Sequence, residues 1–132
     1  MSRTAQACPV AKHLIAFAKR SPKYTMPNGH DKNWIRLCGA IDGFRVRYGR
    51  WPDRVRMFPI CLDDIRNCLF TPADLAAIVA KVKLIADDGA ETIAEDDTGA
   101  SYNYGKEGFP TNRPKPGAAE WLGVKPKPEQ AA

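Results

Sequence analysis

No stretch of this 132-residue chain holds the roughly 18 consecutive apolar residues that a membrane span needs. None of its four cysteines, Cys8, Cys38, Cys61 and Cys68, belongs to a Cys-x-x-Cys pair, and only two histidines, His13 and His30, accompany them. Structural zinc sites draw ligands from closely spaced pairs, because one tight turn then aims two thiolates at a single ion. A site here would need distant ligands to meet through the fold, so no metal is expected. Cys61 and Cys68 fall on one face of a predicted helix, where free cysteine serves as a small buried hydrophobe. Nothing resembles a secretory signal: Val10–Ala18 is short and is interrupted by Lys12 and His13, so the thiols are expected to stay reduced.

Catalytic signatures are missing too. The chain has no glycine-rich phosphate loop, nucleophile elbow, H-E-x-x-H motif, EF-hand spacing or internal repeat. Cys8 with His13 and His30 with Asp31 are the nearest approaches to a nucleophile and base or a base and its orienter, but sequence neighbours rarely point at one site. The expectation is a non-enzymatic protein without a cofactor, a small-molecule substrate or a membrane. Acidic residues are absent before Asp31, whereas Arg3, Lys12, Lys19, Arg20 and Lys23 precede it. That is the charge pattern of an organellar transit peptide, yet serine and arginine are not abundant, so the segment is read as part of a basic surface and a cytoplasmic location is expected.

What is present describes a folded domain. Hydrophobic residues make up 44% of the chain and charged residues 27%, which excludes wholesale disorder. The length suits one domain able to bury roughly two thirds of its unfolded surface without a metal or disulfide. The net charge of +5 conceals a segregation. Residues 1–56 carry +9, residues 57–98 carry −6 and residues 99–132 carry +2. Either the basic and acidic segments face outward and steer separate partners, or they fold onto each other and neutralise.

Periodicity sets the elements. Pro9–Lys19 predicts a short amphipathic helix and Ser21–His30 a loop. Asp31 or Asn33 is placed to cap a second helix to about Tyr48, with Trp34, Leu37, Cys38, Ile41, Phe44 and Tyr48 on one side. Gly39 and Gly43 weaken that helix by roughly 1 kcal/mol each relative to alanine, which implies close approach of another backbone. Arg54–Phe58 alternates like a half-buried strand. Ile60–Leu69 predicts a short helix, and Thr71-Pro72-Ala73-Asp74 is a strong start for the next. Lys83–Asp87, Ala90–Asp96 and Ala100–Tyr104 then predict a meander turning at Asp88-Gly89 and Thr98-Gly99, with Leu84 opposite Ile93, Ile93 opposite Tyr104, Val82 opposite Glu95 and Glu95 opposite Tyr102.

The fold class is therefore α+β: a small single domain of two N-terminal helices, a short strand, two short helices and a three-stranded antiparallel β-meander. A basic N-terminal helix and loop (1–30) precede the core (31–109), and a Pro-rich tail (110–132), broken by a Trp-Leu-Gly-Val turn, follows.

The densest chemical feature is the segment 44–56, FRVRYGRWPDRVR. Arg45, Arg47, Arg50, Arg54 and Arg56 surround Tyr48 and Trp51, and Arg36 lies on the same helix. Arginine grips phosphate bidentately and aromatic rings offer a base a π face, so nucleic acid or a nucleoprotein is the first expected partner. The alternative is a protein partner: a small inhibitor or accessory subunit would use Glu95, Asp96 and Asp97 on the acidic side and Trp121, Leu122 and Val124 as a docking tail, although the same tail is equally suited to fold back over an apolar groove of its own domain. Glu95, expected between apolar neighbours, should acquire a raised pKa or find an arginine, with Arg54 or Arg56 its natural partner. If those arginines are taken by Glu95, the nucleic-acid reading loses much of its charge.

Overall fold

The structure, a computed structural model, describes residues 31–126. The helix and loop expected within 1–30, with Cys8, His13 and His30, lie outside the described residues. Helix α1 spans Asp31–Tyr48, followed by β1 (Arg54–Met57), α2 (Pro59–Asp64), α3 (Pro72–Lys81), β2 (Lys83–Ala86), β3 (Ile93–Glu95), β4 (Ser101–Asn103), α4 (Tyr104–Glu107) and α5 (Ala118–Leu122). The α2 segment continues as a π-helical turn over Ile65–Leu69. The α+β class expected from periodicity is the one observed, but the sheet has four strands and a different order.

The helices follow their sequence signals. Leu37, Ile41 and Phe44 recur on one side of α1 and are fully buried, while Trp34, Cys38 and Tyr48 of the same stripe are half-buried. Asn33 is not a cap: it sits inside the helix and is buried, its amide donating to Asp64 Oδ2 at 2.8 Å and its carbonyl accepting from Arg36 Nη1 at 2.6 Å. Gly49, in the left-handed region at φ 75°, ends α1 and donates to the Arg45 carbonyl at 2.8 Å. At the start of α3, Thr71 Oγ1 accepts from the Asp74 amide at 3.1 Å, as its position predicts. Cys61 is buried, as expected of a small hydrophobe; Cys68 departs from expectation in being disulfide-bonded.

The sheet corrects the predicted meander. Its order is β2-β1-β3-β4, with β1 parallel to β2 and antiparallel to β3. The helices between residues 59 and 81 supply the crossover that a parallel pair requires. Asp88-Gly89 does form a turn, with Ala90 N–H donating to the Asp87 carbonyl at 3.1 Å, but that turn carries the chain across the end of β1. Asp87 N–H is held by the Met57 carbonyl at 2.8 Å, so β1 occupies the place between β2 and β3. Leu84 therefore pairs with Val55, not with Ile93. Between β3 and β4 the register differs by one residue: Ile93 faces Asn103, Ala94 faces Tyr102 and Glu95 faces Ser101. A one-residue slip exchanges the two faces of a strand. Hence Val55, Met57, Leu84, Ala94 and Tyr102 point at the helices, and Arg54, Arg56, Ile93 and Glu95 share the other face.

The tail folds back. Ala118, Leu122 and Val124 are buried in the same core as Leu37 and Val55, so apolar packing runs past residue 109. Asp42, buried on α1, accepts from the Ala118 amide at 2.7 Å and so caps α5 from another element.

Gly39 and Gly43 mark a close approach as expected, but the approaching groups are rings and not backbone. A Cβ on Gly43 would lie 2.1 Å from the Tyr102 ring, and one on Gly39 2.4 Å from the Tyr104 ring. Tyr102 is pinned, since its hydroxyl donates to the Gly108 carbonyl at 2.6 Å. Gly43→Ala, which would stabilise an ordinary helix by about 1 kcal/mol, is expected to destabilise this protein by about 1–3 kcal/mol in urea unfolding. Unchanged or raised stability would contradict the packing of Tyr102 against α1.

Candidate interaction surface

The arginine strip and the acidic segment meet. β1 and β3 are adjacent and antiparallel, which sets Arg54 directly opposite Glu95 and places Arg56 two residues along the same face. Glu95 Oε2 accepts from Arg54 Nε at 2.8 Å and from Arg56 Nε at 3.0 Å, and Oε1 from Arg56 Nη2 at 3.2 Å. The ladder extends at both ends. Arg54 Nη1 donates to Asp97 Oδ1 at 2.7 Å, and Arg56 Nη1 donates to Asp87 Oδ2 at 2.6 Å. Arg50 donates to Asp96 Oδ2 at 2.8 Å and to the Thr98 hydroxyl at 3.0 Å, while Thr98 Oγ1 donates to Asp96 Oδ1 at 2.7 Å. Glu95 was expected beside Val82 and Tyr102; its cross-strand neighbours are instead Arg54 and Ser101, and it takes both arginines named as its partners.

The other cations of the strip are engaged as well. Arg47 forms a bidentate pair with Glu107 and lies 4.8 Å over the Tyr102 ring. Arg45 Nη1 donates to the Gly49 carbonyl at 2.7 Å, and its guanidinium sits 4.9 Å from the Trp51 ring. The Tyr48 hydroxyl donates to the Ser101 carbonyl at 2.9 Å and accepts from its amide at 3.2 Å. One hydroxyl thus satisfies both backbone groups of a residue on the β4 edge. On the β2 edge, Arg66 Nη2 donates to the Leu84 carbonyl at 2.9 Å. Both sheet edges are capped by side chains, which blocks strand addition at those positions.

The aromatic platform is also occupied. Trp121 of α5 stacks on Trp51 with ring centroids 4.4 Å apart and planes 3° from parallel. Lys81 lies 5.7 Å over the Trp121 ring and donates to the Trp121 carbonyl. Leu122 and Val124 are buried in the core. The structure therefore places the residues expected to form a free docking tail against their own domain.

A cleft of about 310 Å³ opens between α1, β4 and the chain after α4, lined by Gly43, Val46, Arg47, Tyr102, Glu107, Phe109, Pro110 and Thr111. Val46 is 43% exposed, whereas Leu37, Ile41 and Phe44 of the same helix are fully buried. The Arg47–Glu107 pair stands at this cleft with both side chains open to solvent. Pairs of that kind contribute about 0.2–1 kcal/mol. Arg113 packs 4.1 Å over the Phe109 ring and forms no ion pair among the described residues. Of these residues only Arg47 stood out in the sequence; Gly43 was recognised as a contact point, and Glu107, Phe109 and Pro110 sit where the chain loses its periodicity. Among the described residues no group of three or more His, Cys, Asp or Glu is placed to hold a metal, and no helix is long and apolar enough to cross a membrane. Compared with known proteins, the chain matches no family model, no curated protein and no solved structure.

The ladder fixes the sign of the acid response. Thr98 hydrogen bonds, aided by Arg50 and opposed by burial, pull the Asp96 carboxyl down to about 2. Burial pushes Glu95 up, but the bonds from Arg54 and Arg56 outweigh it and hold the carboxyl below its usual value. The Gly89 amide and Arg56 lower Asp87, and Arg47 lowers Glu107. A depressed carboxylate stabilises the fold above its unfolded pKa, about 4, and that contribution is lost as pH falls through the folded value. Asp42 has the opposite sign, because burial raises it against the Ala118 amide and Arg113; its cost grows as pH rises through the raised value. With four groups against one, stability is expected to be level near neutrality and to fall between about pH 4 and pH 2. Asp96→Asn should flatten part of that fall, and an acid limb identical to that of the unsubstituted protein would contradict the assignment.

Proposed function

We propose that this protein is a non-enzymatic interaction module that engages another protein through the cleft between α1, β4 and the segment after α4. The observation that carries this reading is that the groups best suited to a polyanion already have partners within the chain. Arg47, Arg50, Arg54 and Arg56 each hold a carboxylate, and the Trp51 face carries Trp121. A phosphate backbone would have to displace those carboxylates one by one, which removes most of the electrostatic gain that drives nucleic-acid binding. The geometry thus supports the nucleic-acid reading of Arg36 and the 45–56 strip less than it supports a protein partner.

The same logic moves the expected protein contacts. Glu95 and Asp96 hold the ladder, while Trp121, Leu122 and Val124 hold the tail to the core. The cleft sets Val46, Tyr102, Phe109 and Pro110 beside the Arg47 guanidinium and the Glu107 carboxylate, so its lining is as polar as it is apolar. A concavity that joins apolar side chains to placed polar groups is a common form of recognition site. With the sheet edges capped, a partner is read by side-chain insertion and not by strand pairing.

A photo-crosslinking residue at exposed Val46, compared with one at exposed Val79 on α3, tests the reading in the cells that make the protein. The expected result is a discrete adduct from position 46 that survives nuclease treatment, with none from position 79. Equal labelling from both sites, no adduct, or an adduct removed by nuclease would overturn it.

A further inference from the structure

We infer that Cys8 is the partner of Cys68, so that a disulfide ties the basic N-terminal segment to the π-helical turn that precedes α3. Cys68 is disulfide-bonded and half-buried, and the chain holds three other cysteines. Cys38 is a free thiol, and burial, with the Asp42 charge adding to it, pushes its pKa up, away from the thiolate that disulfide exchange requires. Cys61 stands seven residues before Cys68 along α2 and the π-helical turn, a rise of about 10 Å, whereas a disulfide holds its Cα atoms within roughly 7 Å. Cys8, which lies outside the described residues, is the sulfur that is left.

The bond is within reach. The Asn33 amide donates to Asp64 Oδ2 at 2.8 Å, and the Trp34 and Phe70 rings meet edge to face at 5.2 Å, so the first turn of α1 stands beside the turn that carries Cys68. Residues 9–30 extend to about 70 Å at most, far more than the return from Asp31 to Cys68 requires. The bond forms by exchange with a disulfide donor such as oxidised glutathione. One protein thiolate attacks the donor and releases one donor thiol; the second attacks the mixed disulfide and releases the other. Two protons and two electrons leave the protein thiols and convert the donor to two thiols. Charge gives the tether its consequence. Residues 31–126 contain fourteen basic and fourteen acidic residues and residues 127–132 one of each, so the net +5 of the chain resides in residues 1–30. A bond at residue 8 fixes that surplus at the end of a neutral domain where α1 begins, and reduction frees it.

The test uses the full chain equilibrated with oxidised glutathione, its remaining thiols alkylated, and digested with trypsin in the absence of reductant. Mass spectrometry is expected to find one linked species that joins residues 4–12 to residues 67–81 and that reductant separates into its two peptides, with Cys38 alkylated. Cys8→Ser and Cys68→Ser are each expected to lower the thermal midpoint of the oxidised protein by about 5–15 °C, and the double variant by no more than either. Reductant should bring the unsubstituted protein to the midpoint of the variants and leave the variants unchanged. A merely packed Cys68 would not make its loss match that of Cys8. An alkylated Cys8, a Cys68 joined to any sulfur other than that of Cys8 in the same chain, or a loss of stability from Cys68→Ser that Cys8→Ser does not share would overturn the proposal.

Discussion

The Glu95 carboxylate, held between two arginines of the neighbouring strand, is the interaction on which the rest of this structure depends. It lies where the basic first half of the chain meets its acidic middle, and it is only 17% exposed. An unpaired carboxylate in that position would carry a desolvation cost, and two unpaired guanidinia on a central strand would repel each other. Pairing removes both penalties at once. It also fixes which residues of β1 and β3 share a face, because a shift of one residue would carry Glu95 to the helix side and leave Arg54 and Arg56 without it. The ladder thus serves the sheet as a register lock, with Asp87, Asp96 and Asp97 holding the outer ends of the same arginines.

Much of the helical layer is readable from the residues. Leu37, Ile41 and Phe44 repeat at helical spacing, and Thr71 with Asp74 gives a start signal that the hydrogen bond satisfies. The pairing of Glu95 with arginine was expected from apolar neighbours that the observed register does not give it; it arises because β1 lies antiparallel beside β3 and sets Arg54 opposite Glu95. The sheet order is less legible. Asp88-Gly89 is a good turn wherever it stands, and its local chemistry says nothing about whether the strands on either side pair with each other or with a third strand arriving from residues 54–57. The inward residue of β3 also defies a hydrophobicity ranking. Ala94 faces the core in place of the larger Ile93, because its cross-strand partner Tyr102 fills the space below Gly43. Small opposite large is a packing outcome that no single strand records.

The cleft was hidden for a related reason. Its walls come from α1, from β4 and from a segment without periodicity, and only the fold brings Val46, Tyr102, Phe109 and Glu107 together. Gly43 and Arg47 were the sequence signals that fell there. The tail was ambiguous on its own terms, since a tryptophan and a leucine between prolines suit a docking peptide and a strap equally well. What decides between them is the parallel face of Trp51, the trans cap from Asp42 and the apolar seat for Leu122 and Val124.

The central claim is that the basic strip is neutralised within the chain and not offered to a polyanion. Fluorescence anisotropy with labelled single-stranded and duplex oligonucleotides across a salt series tests it most directly. The account predicts no saturable binding near physiological salt and a shallow dependence at low salt, since few phosphates would replace a carboxylate. Binding that persists near physiological salt with a log–log slope steeper than about −4, the signature of five or more phosphate contacts, would contradict it.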